Sequence, residues 1–378
     1  MRYYLIAGEP SGDLHGANLM RGLAKADPEA EFRFWGGDMM AEAGGAANLV
    51  KHYRETSFFG IADVLANLGT IARQMRECRE DVLRFAPDVL ILIDYPGFNV
   101  KMAEFAHRHG LKVFYYIAPK VWAWKEWRVK ALRRFVDRLY IIFPFEKEYF
   151  RRKGIDAAFE GNPLMDAIAR RRESFPSAEE FRRANGLDDR PVVALLAGSR
   201  RSEIRTNLCF MAELAERIPN RQFVVAGVSW IDRAEYDRCT AGTAVRYVFD
   251  KTYELLAVAE AAVVTSGTAT LETALLDVPE VVVYGVPWIY EKLKPYVLKI
   301  PYVSLVNLNL GREAVREIVQ CRPSVEYAEA ELRAVLEGGA ERERMKADFA
   351  ELRRIIVGDG ASERFAARMV EDLKMLKR

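Results

Sequence analysis

The 378-residue chain is 50% hydrophobic, enough to bury the cores of about two domains, which excludes a small scaffold stapled by disulfides. Fifty-six lysines and arginines against 54 aspartates and glutamates leave a formal charge of +2, so no global field directs the chain to nucleic acid. Four scattered cysteines, Cys78, Cys209, Cys239 and Cys321, include no CxxC pair and suggest neither a disulfide framework nor a zinc site, which fits a reducing cytoplasm.

The first apolar run, in MRYYLIAGEPSGD, has the length of a strand and is too short for a signal-peptide core. No window approaches the roughly 18 uninterrupted apolar residues of a spanning helix, so membrane contact is expected to be peripheral. In chain order, YYLIAG (3–8), DVLILID (88–94), KVFYYIA (112–118) and RLYIIF (138–143) each precede a helix-like stretch. Such βα alternation predicts buried parallel strands. Residues 162–191 interrupt it with charged, helix-prone sequence containing Pro163, Pro176, Gly186 and Pro191. Alternation resumes with VVALLAG (192–198), QFVVAG (222–227), AVRYVF (244–249), AAVVTS (261–266) and EVVVYG (280–285). The expected organisation is α/β: two Rossmann-like, doubly wound domains facing a cleft, 1–165 and 166–360, with a last helix near 361–378 free to pack back on the first.

Ligands of open α/β sheets lie beyond the carboxyl ends of strands, so the loops there are the candidate sites. After VVALLAG come Gly198, Ser199, Arg200, Arg201, Ser202 and Glu203, offering backbone approach, hydroxyls, helix-start amides and a forked cation to an anion. A helix cap with solvated arginines accounts for the same string. A second loop, Ser266, Gly267, Thr268, Ala269 and Thr270, leads to Glu272, whose carboxylate could accept both hydroxyls of a ribose or serve as a surface glutamate. Two such loops can hold one pyrophosphate. No GxxxxGK[ST] or GxGxxG is present, and no DxD or HxxxH element presents ligands for a metal. Neutralisation of a diphosphate then falls to arginine and helix dipoles.

In the amino-terminal half Asp94 ends the apolar strand VLILI and is followed by Tyr95, Pro96 and Gly97, which places a carboxylate at the strand end as a candidate general base. The competing reading is a cap for a helix beginning near Asn99. Glu9, Ser11, Gly12, Asp13 and His15 follow the first strand; Ser11 or Asp13 can cap the next helix, and His15 is the second choice of base. Residues 120–153 hold eleven Lys or Arg against four Asp or Glu, with Trp122, Trp124 and Trp127 at their start, a composition suited to a phosphate or a headgroup interface. Phe58, Phe59, Ile61, Val64, Leu65, Leu68 and Ile71 repeat at helical spacing, as a core helix or a lipid-facing one would.

Seven segments in order, AGEPSGDLHGA (7–17), IDYPGFN (93–99), APKVWAW (118–124), PFEK (144–147), AGSRRSEI (197–204), TSGTATLE (265–272) and YVSLVNL (302–308), resemble lipid-A-disaccharide synthase across nearly the whole chain. The resemblance implies a GT-B type, inverting glycosyltransferase working without metal or cofactor. It would join UDP-2,3-diacylglucosamine to 2,3-diacylglucosamine 1-phosphate, giving the β-1,6 disaccharide 1-phosphate and UDP at the cytoplasmic face of a Gram-negative inner membrane. It implies Asp94 as base, Ser11, Gly12, Asp13, His15, Asn99, Trp122 and Trp124 on the acceptor side, and Gly198, Ser199, Arg200, Ser202, Glu203, Ser266, Gly267, Thr268, Ala269, Glu272 and Asn307 around UDP. Two departures stand out: Asp63 replaces a typical glutamate, shortening the arm of a candidate binding residue, and Val306 replaces a typical proline. A homodimer is compatible with the sequence and not required by it. The rival readings are a UDP-N-acetylglucosamine 2-epimerase on the same fold and a non-catalytic binder of lipid or nucleic acid.

Overall fold

The computed structural model describes residues 1–56, 68–122, 126–285, 301–321 and 324–377. They fall into two compact units, residues 1–167 with 356–378 and residues 168–355. The first holds seven strands: β1 (Arg2–Ala7), β2 (Glu31–Gly36), β3 (Leu49–His52), β4 (Val89–Ile93), β5 (Lys112–Tyr116), β6 (Arg138–Ile141) and β7 (Ala157–Phe159). The second holds six: β8 (Val192–Leu196), β9 (Gln222–Gly227), β10 (Arg246–Phe249), β11 (Ala259–Thr265), β12 (Glu280–Gly285) and β13 (Arg316–Gln320).

The sheet orders are β3-β2-β1-β4-β5-β6-β7 and β10-β9-β8-β11-β12-β13, and every pairing is parallel. Each order reverses direction once, between β1 and β4 in the first sheet and between β8 and β11 in the second. A parallel sheet covered on both faces needs continuous apolar strands. VLILI of β4 and VVALL of β8 are buried at every position.

Four described strands, β2, β3, β7 and β13, have no counterpart in the runs picked out from the sequence. Three of them are sheet edges. An edge strand needs only one neighbour and stays short and partly polar, as the half-exposed LVKH of β3 does.

Helix Ala361–Leu376 packs along helix Pro10–Ala26, where Gly22 lets Ala366 approach so closely that an added Cβ would lie 2.8 Å from the alanine methyl. Lys25 pairs with Glu363 at 2.8 Å, and the Tyr140 hydroxyl donates to buried Asp372 at 2.8 Å. Asp166 holds the start of this helix by accepting from the Gly360 and Ser362 amides at 2.6 and 2.8 Å.

The cysteine expectation is corrected: Cys209 and Cys239 form a disulfide, while Cys78 and Cys321 are free. The two bonded residues lie on helices Arg201–Glu216 and Arg233–Thr240, which pack together. Their proximity is a product of tertiary packing that sequence spacing does not carry. No helix among the described residues is long and apolar enough to cross a membrane.

Candidate active site

Both sequence-derived loop pairs fall on the switch points. β1 runs into Gly8 and Glu9 while β4 runs into Asp94; β8 leads to Gly198–Glu203 while β11 leads to Ser266–Glu272. At a switch point neighbouring crossover helices diverge to opposite faces, leaving the strand-end loops open to a ligand.

At the first, the backbone is held in an uncommon conformation. Asp94 and Tyr95 have φ of 41° and 48°, and Ile117 at the end of β5 has 62°. Left-handed non-glycine residues cost about 1–3 kcal/mol each and persist only where neighbours enforce them. The Asp94 amide donates to the Tyr116 carbonyl at 3.0 Å, and its carbonyl accepts from the Tyr115 hydroxyl at 2.7 Å and Asn99 Nδ2 at 2.8 Å. Gly8 is required opposite: an added Cβ would sit 2.3 Å from the Tyr95 ring.

Helix Pro96–Arg108 takes Tyr95 as its cap residue, without a side-chain cap bond, so the capping role considered for Asp94 is not used. Burial pushes the Asp94 carboxyl up to about 7, the Glu9 carboxylate pushes the same way, and the Lys120 ammonium opposes both. Lys120 also draws down Glu146, whose complete burial nevertheless carries it to about 7. Trp122 donates its indole N–H to Glu146 Oε1 at 2.9 Å and stands edge-on to Phe145 at 5.1 Å. Lys120 in APKVWAW and Glu146 in PFEK carry no individual signal in the sequence, where a helix-start glutamate reads as a capping residue.

Other residues turn out to hold the scaffold. Asp13 does not cap its own helix: its buried carboxylate accepts from the amides of Gly37, Met39 and Met40 at 2.7, 3.1 and 3.1 Å, closing the start of helix Asp38–Gly44. Ser11 donates to Glu9 Oε1 at 2.9 Å rather than capping. Gly12 is buried in the first helical turn. Asn99 is fully buried and donates to the carbonyls of Ile6, Ile93 and Asp94, tying the ends of β1 and β4 together. Burial lowers His15 to about 4, leaving a neutral imidazole and a weak base at neutral pH. Asp63, Trp124 and the apolar residues 58–65 lie outside the described residues.

In the second unit Gly198 has φ of 110°, and an added Cβ would lie 2.5 Å from Glu203 Oε2. Glu203 is thus an internal anion for this loop, accepting from the Ser199 and Arg200 amides at 3.0 and 3.2 Å. The expectation that those amides stand ready for phosphate needs correcting on this point, because a carboxylate already lies in the nest. Arg200 is 3.6 Å from Glu203 with 70% of its side chain exposed, and Ser202 is exposed in the first helical turn.

At the other loop, Ser266 bonds the Val303 carbonyl at 2.8 Å, while Gly267, Thr268 and Ala269 begin helix Thr268–Leu275. Glu272 accepts from the Tyr253 hydroxyl at 2.9 Å; burial raises its carboxyl and this bond opposes the rise. Asn307 belongs to helix Leu305–Leu310. It is buried with both ends of its amide occupied, by the Val315 carbonyl and Glu317 on one side and the Ala314 and Val315 amides on the other. Arg312 is paired with Asp348 and Glu351 at 2.6 and 2.5 Å.

A family model described as Lipid-A-disaccharide synthetase matches residues 3–364. Proteins named lipid-A-disaccharide synthase from Geobacter sulfurreducens and Myxococcus xanthus are each 37% identical, over 379 and 377 residues, covering 98% of this chain and 97% of theirs. Among solved structures, the UDP-GlcNAc 2-epimerase of Neisseria meningitidis bound to UDP-GlcNAc aligns over 100% of both chains with a TM-score of 0.63 at 13% identity. A UGT transferase of Siraitia grosvenorii in complex with UDP gives 0.60 at 15% identity over 99% of both. At such identities the structural likeness concerns the fold, which epimerases and glycosyltransferases share.

Proposed function

The chain belongs to the lipid-A-disaccharide synthase family and is a glycosyltransferase of lipid A biosynthesis; on that premise we propose how its residues divide the reaction. The donor is UDP-2,3-diacylglucosamine and the acceptor 2,3-diacylglucosamine 1-phosphate. Asp94 takes the proton of the acceptor 6-hydroxyl as that oxygen bonds to the donor's anomeric carbon. The bond from that carbon to the diphosphate breaks, UDP leaves with the electron pair, and an α-linked donor yields a β-1,6 product. The observation that carries this reading is the Asp94 carboxyl at the β1–β4 switch point, raised to about 7, where a base both ionises near neutral pH and retains proton affinity. His15, lowered to about 4, is the poorer candidate.

UDP is assigned to the second switch point. Arg200 and the loop amides receive the diphosphate once Glu203 withdraws, Ser199, Ser202 and Ser266 supply hydroxyls, and the start of helix Thr268–Leu275 adds its dipole. Glu272, already oriented by Tyr253, is placed to accept from the ribose hydroxyls. Lys120, with Trp122 positioned by Glu146, lies on the acceptor side and offsets negative charge beside Asp94. That both substrates are acylated sugars supports peripheral contact with the cytoplasmic face of the inner membrane. The direct test mixes purified protein with the diacylated donor and acceptor and follows disaccharide and UDP together. Release of UDP without disaccharide, or conversion of UDP-N-acetylglucosamine alone, would overturn the assignment.

A further inference from the structure

Helix Arg201–Glu216 starts at the Gly198–Glu203 loop, and helix Arg233–Thr240 packs along it within the same unit. Arg205 and Cys209 are four residues apart on the first helix, and Glu235 and Cys239 are four apart on the second, so each pair shares a face. Two ties join these faces one turn apart. Arg205 donates through Nε and Nη2 to the two Glu235 oxygens at 2.8 and 2.7 Å, and Cys209 bonds Cys239. A third tie reaches the loop itself: Trp230, just ahead of the second helix, donates its indole N–H to the Ser199 carbonyl at 3.3 Å.

These ties hold the loop with its Ser199 and Arg200 amides occupied by Glu203. A diphosphate can take those amides only after the backbone around Ser199 shifts. That shift is resisted by a closed path from Ser199 through Trp230 to Cys239 and back through Cys209 to the helix that carries Glu203. The indole bond is long and the Arg205 side chain is 54% exposed, so both exchange readily with water. Only the disulfide is covalent. Cys209 is exposed and Cys239 half-buried, which leaves their bond open to an attacking thiolate. At the cytoplasmic face proposed above, thiols prevail, and disulfides of cytosolic proteins are usually transient and either catalytic or redox-sensing.

We propose that the Cys209–Cys239 bond is a redox switch on the nucleotide loop: oxidised, it holds Ser199 in the form that Glu203 occupies and weakens UDP binding; reduced, it frees the loop for the diphosphate. The proposal rests on the assignment of UDP to this loop. The reductant is a dithiol. One of its thiolates bonds to the exposed Cys209 sulfur, the S–S bond breaks, and Cys239 leaves with the electron pair and takes a proton. The second thiolate of the reductant then bonds to the first reductant sulfur and releases Cys209, which is protonated in turn. Two electrons and two protons reach the protein, and the reductant ends as its own disulfide.

The test measures UDP affinity by calorimetry on the full-length protein, oxidised or reduced in glutathione buffers, with the state of the bond checked by thiol titration. The reduced protein should bind UDP about tenfold more tightly, within the usual range of coupling between two sites. Linkage requires the reciprocal effect: saturating UDP should raise the midpoint potential of the bond by about 30 mV, the equivalent of tenfold for a two-electron couple. A disulfide that only braces the fold would show neither. Cys209→Ser and, independently, Cys239→Ser should bind UDP as the reduced protein does, whatever the buffer, and Trp230→Ala should remove most of the difference while keeping the bond. Equal affinity of the two redox states, tighter binding by the oxidised one, a difference that survives in the serine variants or in Trp230→Ala, or a bond that fails to form in oxidising buffer would each overturn the switch and leave the UDP assignment standing. Binding of UDP to neither state would overturn both.

Discussion

Replacing Asp94 with asparagine removes the proposed base while keeping its shape, and asparagine suits a left-handed backbone as well as aspartate does. The turnover loss should reach about 10²- to 10⁴-fold, the usual contribution of a positioned general base. UDP affinity should be unchanged, because the loops proposed for UDP belong to the other unit.

Stability provides the control. A carboxyl raised from 3.8 to about 7 stays protonated in the fold where the unfolded chain has ionised, a penalty of at most ~4 kcal/mol at pH 7. Because the folded value is the higher one, Asp94's contribution is most favourable below pH 3.8 and is lost as pH rises through about 7. The variant should therefore gain stability over wild type between about pH 4 and 7, with the difference levelling off above, as urea melts across that range would show. In the activity assay, wild-type kcat/KM should rise with an inflection near pH 7 that the variant lacks. An Asp94→Asn enzyme within tenfold of wild type, or a wild-type profile without that inflection, would refute the reasoning.

Glu203→Gln removes the internal anion from the Ser199 and Arg200 amides; UDP should bind about tenfold more tightly by calorimetry, and equal or weaker binding would refute the competition. Asp13→Ala leaves three amides at the start of helix Asp38–Gly44 without their acceptor, so thermal unfolding should show a loss of about 2–4 kcal/mol while UDP affinity holds. Thiol titration of the denatured protein should find two reactive groups before reduction and four after; four before reduction would mean that the Cys209–Cys239 bond is absent from that preparation.

Continuous apolar strands made the α/β class legible, since β4 and β8 are buried on both faces and tolerate almost nothing else. Glycines, hydroxyls and carboxylates after those strands marked the loops, and the order of the motifs carried the family. Sequence alone could not say which strands are neighbours, and hence that the marked loops sit at the two reversals of sheet order. Nor could it separate side chains available to a ligand from those the fold uses. Asp13, Asn99 and Asn307 read as binding residues, and the structure shows what the sequence cannot: the Asp13 carboxylate, the Asn99 amide nitrogen and the Asn307 amide oxygen are all engaged by backbone groups, several of them distant in sequence. The same holds for ionisation. Asp94 and His15 are ordinary in sequence, and only burial, which raises an acid and lowers a base, moves them to about 7 and about 4 and sets one ahead of the other as the base.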